Sequence, residues 1–236
     1  ARSLGPALGG LIVAIGTAAA AFAVNALSYI GLLIVLFRWK PQYPQQTLPA
    51  EGLVAAMGGG VRYAFLSPRI YSVLLRALLF GMGASGLQAL LPVIARHKVD
   101  GGPLIYGILL GAFGVGAVGG ALMVSKMRAR FKTETLVRMW IAAFALAALG
   151  VAHSPYLPLS IVSLLLGGMA WVIVLSTFNV TVQLSAPRWV VARALALYQM
   201  AAFGGMAGGA WLWGYMAQTY SIPLALSCSA ALLMVC

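Results

Sequence analysis

The stretch PLIYGILLGAFGVGAVGGALMVSKMRARFK, residues 103 to 132, decides the fold. From Pro103 to Ser125 it carries no charge, which is long enough for a helix to cross the ~30 Å hydrocarbon core of a bilayer. Its end holds Lys126, Arg128, Arg130 and Lys132 with no acid among them. Short loops rich in Lys and Arg stay on the cytoplasmic side, so a spanning helix that runs into this basic loop has a fixed direction. The glycines carry a second message. Gly107 and Gly111 are four apart, as are Ala112, Gly116 and Gly120, and small residues at that interval let another helix backbone approach closely. Such a helix is built to pack inside a bundle.

The rest of the chain has the same character. Of its 236 residues, 62% are hydrophobic and 8% charged, with a mean hydropathy of +0.98. A soluble domain is about a quarter charged, so the chain reads as an all-α polytopic membrane protein whose first partner is the lipid bilayer. The net charge of +12 comes from 15 Lys and Arg against 3 Asp and Glu. In a soluble protein that balance would point to nucleic acid. Here the basic residues sit in short loops between apolar runs, where topology and anionic headgroups account for them, and nucleic-acid binding is excluded. Cys228 and Cys236 share one apolar run, about 12 Å apart along a helix at 1.5 Å per residue, too far to bridge. His97 and His153 fall in separate loops with no neighbour at metal-ligand spacing, so neither a metal site nor a cofactor is expected.

Taken in order, residues 1–16 are apolar apart from Arg2 and too few to span. They read as the second half of a helix that begins upstream. With no initiator Met, no signal peptide and a last span cut short after Ser221, the chain reads as a fragment of a longer protein. A full span is expected from about Ala18 to Phe37, closed by Arg38, Trp39 and Lys40. Residues 1–40 thus form the end of a first bundle. Residues 41–68, with Pro41, Pro44, Pro49 and Gly58 to Gly60, read as a cytoplasmic linker with a short interfacial segment from Val61 to Leu66. Residues 69–236 read as a six-helix bundle with spans near 70–95, 103–125, 136–152, 157–184 and 194–217, and a last one after Ser221. That makes about eight spanning segments, the first and last incomplete. Alternation from Arg128 places Arg38, Lys40, Arg62, Arg69, Arg188 and Arg193 on the cytoplasmic side and only Arg96 and Lys98 opposite.

An internal repeat appears. GPALGG (residues 5–10), GAVGGA (116–121) and GMAGGA (205–210) each fall in a helix, three helices apart, and AFG precedes the last two. Three-helix units used repeatedly build many secondary transporters. Two helices also carry polar stripes. Gly81, Ser85, Gln88 and Pro92 share one face of the first, and Ser176, Asn179 and Gln183 one face of the second. Uncharged polar groups in hydrocarbon face either a partner helix or a water-filled cavity. Recurrence three helices apart favours a cavity, which makes Ser85, Gln88, Ser176, Asn179 and Gln183 its candidate lining. Gly83-Ala84-Ser85-Gly86 also matches the GxSG around the nucleophile of rhomboid-type intramembrane proteases, a chemistry that needs a His within hydrogen-bond reach. Both histidines lie in loops on the other side. Glu51, Asp100 and Glu134 lie in loops or at helix ends, so a proton-coupled mechanism would need a carboxylate from outside this chain.

ARSLGPALGGLIVAIG, followed by FAVNALSY at Phe22 to Tyr29, resembles the major facilitator superfamily. Arg2, Gly5, Pro6, Gly9 and Gly10 match the motif on that family's fifth helix, found mainly in exporters. APRWVVARALALYQMAAFGGMAGGAWLWG, Ala186 to Gly214, is similar to the branch of transmembrane secretion effectors that includes the enterobactin exporter, and so is GVRYAFLSPRI at Gly60 to Ile70. On this resemblance the chain runs from mid-helix five into helix twelve of a major facilitator-type helical bundle. The basic loop Lys126, Arg128 and Arg130 then stands where the family carries G-x-x-x-D-R-x-G-R-R, with Ser125 in place of the Asp. The resemblance implies a secondary transporter, not an enzyme, that exports a small organic molecule, siderophore- or drug-like, by alternating access across a bacterial cytoplasmic membrane. The alternatives are an uptake permease of the same fold, an intramembrane serine protease and a non-transporting membrane scaffold. Substrate identity, coupling ion and oligomeric state stay open.

Overall fold

Prolines and small polar residues punctuate the apolar runs and set the helix boundaries. Ser67 stands between two helices, its N–H on the Tyr63 carbonyl at 3.0 Å, and Pro68 starts the next helix where a missing N–H costs nothing. Pro158 and Pro223 occupy first-turn positions in the same way, and Ser221 caps its helix by accepting from the Leu224 N–H. In the computed structural model, which describes residues 18–40, 52–98, 103–154 and 156–236, the result is all-α. Its helices are α1 (Ala18–Arg38), α2 (Leu53–Leu66), α3 (Pro68–Lys98), α4 (Pro103–Arg130), α5 (Thr133–His153), α6 (Leu157–Ser185), α7 (Val191–Thr219) and α8 (Ile222–Val235). Residues 1–16, the expected half-helix, lie outside the described residues.

Four of these, α3 to α6, are long and apolar enough to cross a membrane by length and composition alone. The 29-residue α7 is diluted by glycine, Tyr198, Gln199 and its tryptophans, and α1 and α8 are shorter apolar helices. Helix α2 starts at Leu53, inside the stretch expected to be linker, and packs on α3 and on the start of α7. There Gly60 lies against the aliphatic stem of Arg193, and the Tyr63 ring meets Trp189 edge-on at 5.7 Å. Lys126, Arg128 and Arg130, expected in a loop, belong instead to the last turns of α4, and the turn to α5 is only Phe131 and Lys132.

Helices α3 to α8 form one bundle. Its two tightest pairs are α3 with α7 and α4 with α6, while α5 packs on α6 and α8, and α8 on α3. Helix α1 touches no other described helix. Both tight pairs close on glycine. A Cβ on Gly81 would overlap the Ala202 carbonyl, one on Gly205 the Leu78 carbonyl, and one on Gly209 the Met82 carbonyl. In the other pair Gly168 lies on the Phe113 carbonyl, Gly116 on that of Leu165 and Gly120 on that of Met169. These are the same three contacts in the same register, so α3 corresponds to α6 and α4 to α7. GAVGGA and GMAGGA, two members of the repeat seen in the sequence, thus make equivalent contacts, and GPALGG lies outside the described residues. The AFG triplets are one residue out of that register, because Phe113 is matched by Ala202 and not by Phe203.

The core between the pairs is aromatic. Phe80 of α3 sits 5.6 Å from Phe144 of α5, 5.7 Å from Trp171 and 6.3 Å from Phe178 of α6, ring centre to ring centre. Arg76 and Arg138, which fall inside the expected spans, converge on Glu134 at the start of α5: Arg76 grips its carboxylate with both terminal nitrogens, and Arg138 Nε donates at 2.6 Å. One acid thus answers two bases, which lets charged residues sit within long apolar helices.

Basic side chains concentrate at the end of α4, in the turn between α6 and α7 and at the starts of α3 and α7, the end that the charge rule would put in the cytoplasm. Single cysteines at Lys126 and His153, both exposed, test this in a cysteine-free full-length protein. An impermeant thiol reagent added to intact cells should label position 153 at once and position 126 only after lysis. The reverse pattern would invert the topology.

Candidate functional site

A cavity of about 710 Å3 opens between α3, α4, α6 and α7, the four helices of the two glycine-closed pairs. The pairs bring backbones together at their crossings, so larger side chains on the free faces stand apart and enclose space. Tyr106, Phe113, Trp171, Tyr198 and Phe203 supply ring surface, and Leu87, Leu91, Leu164 and Met206 fill between them. Gln88, Ser176, Asn179 and Gln199 are the amide and hydroxymethyl groups among the lining, and among the described residues no Asp, Glu, Lys or Arg contributes to it. Binding sites for small organic molecules are of this size and composition, mostly apolar with a few placed polar groups. Trp171 belongs both to the wall and to the aromatic cluster behind it, so core packing holds the wall in place.

Of the residues expected to line a cavity, Gln88, Ser176 and Asn179 do. Gln183 does not reach the wall. It is exposed one turn further along α6, where its amide donates to Asn179 Oδ1 and orients that side chain. Ser85 is placed elsewhere. Only 3% exposed, it lies in the α3–α7 contact against Gly209, and its hydroxyl donates to the Met82 carbonyl at 2.8 Å. The same carbonyl accepts from Trp213 Nε1 at 2.7 Å. Two donors and a close-packed glycine thus converge on one backbone oxygen and pin α3 to α7. The serine expected from the stripe to face water is a packing residue, because the α3 stripe is wider than the cavity it borders.

That placement also removes the support for a protease. The Ser85 hydroxyl is engaged with Met82, and among the described side chains no imidazole is near it: His153 stands at the exposed end of α5, its Nδ1 3.2 Å from the Leu149 carbonyl. Arg2, Gly5, Pro6, Gly9 and Gly10, the exporter-motif residues, lie outside the described residues.

Two features of the site escaped the sequence. Tyr198 and Gln199 of α7 reach the wall from a helix that reads as glycine-rich packing surface, and the Tyr198 hydroxyl donates across to the Leu175 carbonyl of α6 at 3.0 Å. Arg128, read as a topological charge, turns back toward α6 instead. Its Nη2 donates to Ser176 Oγ at 2.6 Å and its Nε lies 3.4 Å from Thr177 Oγ1. Lys126 and Arg130 beside it are exposed. Pro92 adds a local break in α3: it has no N–H, so the carbonyl of the cavity residue Gln88 lacks its α-helical donor.

Residues 1–236, the whole chain, match the family model described as transmembrane secretion effector. No curated protein matches the chain.

Proposed function

The chain belongs to the transmembrane secretion effector family of major facilitator transporters, and from that premise we propose that it takes part in exporting a small organic molecule, siderophore- or drug-like, from the bacterial cytoplasm. It is a multi-pass membrane protein of a transporter family, and the membrane we assign to it is the bacterial cytoplasmic one. The observation that carries the reading is the 710 Å3 cavity, walled by aromatic rings and a few uncharged polar groups and bordered by two repeat-related helix pairs. Alternating access suits such a site, with two bundles rocking around a central cavity. Among the described residues no carboxylate lines the cavity, so coupling to protons would use an acid elsewhere in the protein.

The polar groups of the wall make the test. A lost neutral hydrogen bond to a ligand is worth roughly 0.5–1.5 kcal/mol. Gln88→Ala or Asn179→Ala should therefore shift the relative efflux of a panel of dyes and siderophores from everted vesicles by about two- to tenfold, while thermal melting in detergent stays near that of the unsubstituted protein. If both substitutions lower melting and reduce every substrate in proportion, these residues serve the fold and the transport site lies elsewhere. An uptake permease would instead accumulate the same substrates in right-side-out vesicles.

A further inference from the structure

The charge on Arg128 is not balanced within the described structure. Its Nε and Nη2 face the neutral hydroxyls of Thr177 and Ser176, and its Nη1 has no hydrogen-bond partner among the described residues. The described ion pairs take Arg76 and Arg138, both to Glu134, and among the described residues no carboxylate pairs with Arg128. The side chain is half-buried. A cation partly withdrawn from water gains from an anion beside it. Helix packing does not require the charge. In the register set by the glycine contacts, the matching position of the α3–α7 pair is Ala217, at the opposite end of the bundle, and that pair closes as tightly. What distinguishes Arg128 is its location, bonded to a hydroxyl that lines an otherwise uncharged cavity.

We infer that Arg128 is an anion-binding group at the cytoplasmic edge of the cavity, and that the transported molecule joins an apolar, ring-bearing body to a carboxylate or a similar anion. This rests on the cavity being the transport site. The planar guanidinium fork matches a carboxylate in geometry as well as charge, and the rings of Phe113, Trp171 and Phe203 offer faces to the body. Ser176 and Thr177 hold the guanidinium at the edge until a stronger acceptor arrives.

The test uses full-length protein in phospholipid-free micelles and two probes of one shape, 1-pyrenebutyrate and its uncharged amide, read by energy transfer from tryptophan to pyrene. The carboxylate should bind about tenfold or more tighter than the amide, as a charge-assisted contact does. Arg128→Gln should bind both probes alike, and Arg128→Lys should keep part of the preference. Equal binding by the unsubstituted protein, or a preference that survives Arg128→Gln, overturns the inference. Photolabelling needs no variant and decides the matter if Arg128→Gln does not fold: 4-benzoylbenzoate should cross-link within a turn of Arg128 or Ser176, and its amide should not. Carboxylate cross-links confined to other helices overturn the inference. Added phosphatidylglycerol should leave the preference intact; if it abolishes it, the anion is a lipid headgroup and not the cargo. Phe203→Ala should weaken both probes equally. If it weakens neither, the cavity reading itself fails, whatever Arg128 does.

Discussion

Gly209→Ala should destabilise the protein, and Gly208→Ala, one residue away, should not. A single methyl decides the difference. At Gly209 the added Cβ would overlap the Met82 carbonyl and the Ser85 hydroxyl, so α7 could accept it only by moving off α3. Overpacking of this kind costs about 1–3 kcal/mol or more, and here it would also disturb the carbonyl that holds Ser85 and Trp213. At Gly208 a Cβ meets nothing within 4 Å, and exchanging a helix-interior glycine for alanine gains about 0.5–1 kcal/mol. Reversible unfolding in mixed micelles should move in opposite directions for the two variants. The α4–α6 pair repeats the experiment with a larger probe. Gly120→Leu should leave little folded protein in the membrane, because its Cβ already overlaps the Met169 carbonyl, whereas Ala121→Leu, on an exposed face, should express normally. Equal tolerance at both members of either comparison would remove the close-packing account.

The second large effect is expected at Phe80. This ring is fully buried and contacts Phe144, Trp171 and Phe178. In a soluble protein Phe→Ala costs about 3–5 kcal/mol, part of it for transfer from water. In a bilayer the transfer term largely falls away, since lipid is as apolar as the core. The cavity term remains: roughly 100 Å3 of lost volume at about 24 cal/mol per Å3 gives about 2 kcal/mol. Phe80→Ala should therefore lower stability by about that amount, and by loosening Trp171 it should weaken transport of all substrates together. Leu146→Ala, at a side chain 63% exposed on α5, should change stability by a few tenths of a kcal/mol at most. A loss at Leu146 as large as that at Phe80 would mean that lipid contact, and not ring packing, holds the bundle.

Much of the architecture was legible from residue chemistry because the bilayer restricts the choices. A backbone in hydrocarbon must bond to itself, so long uncharged runs are helices, and the runs expected near residues 18, 70, 103, 136, 157 and 194 all formed them. Prolines and serines marked their limits because proline cannot donate and serine can cap. The GAVGGA and GMAGGA segments announced close contacts, whereas Gly107 and Gly111, whose spacing also suggested one, meet nothing within 4 Å. What one dimension could not supply was the partner. Gly209 lies on the Met82 carbonyl and Gly208 on nothing, a difference of 100° around a helix that only the crossing geometry assigns. The same rotation takes Ser85 out of the cavity and leaves Gln88 in it, although both belong to one polar stripe. Arg128 shows the limit most plainly. Its charge follows from sequence, and so does its place in a basic segment near the end of a helix. Its direction does not, because a long flexible side chain goes where its acceptors are, and Ser176 and Thr177 lie 48 and 49 residues away on another helix.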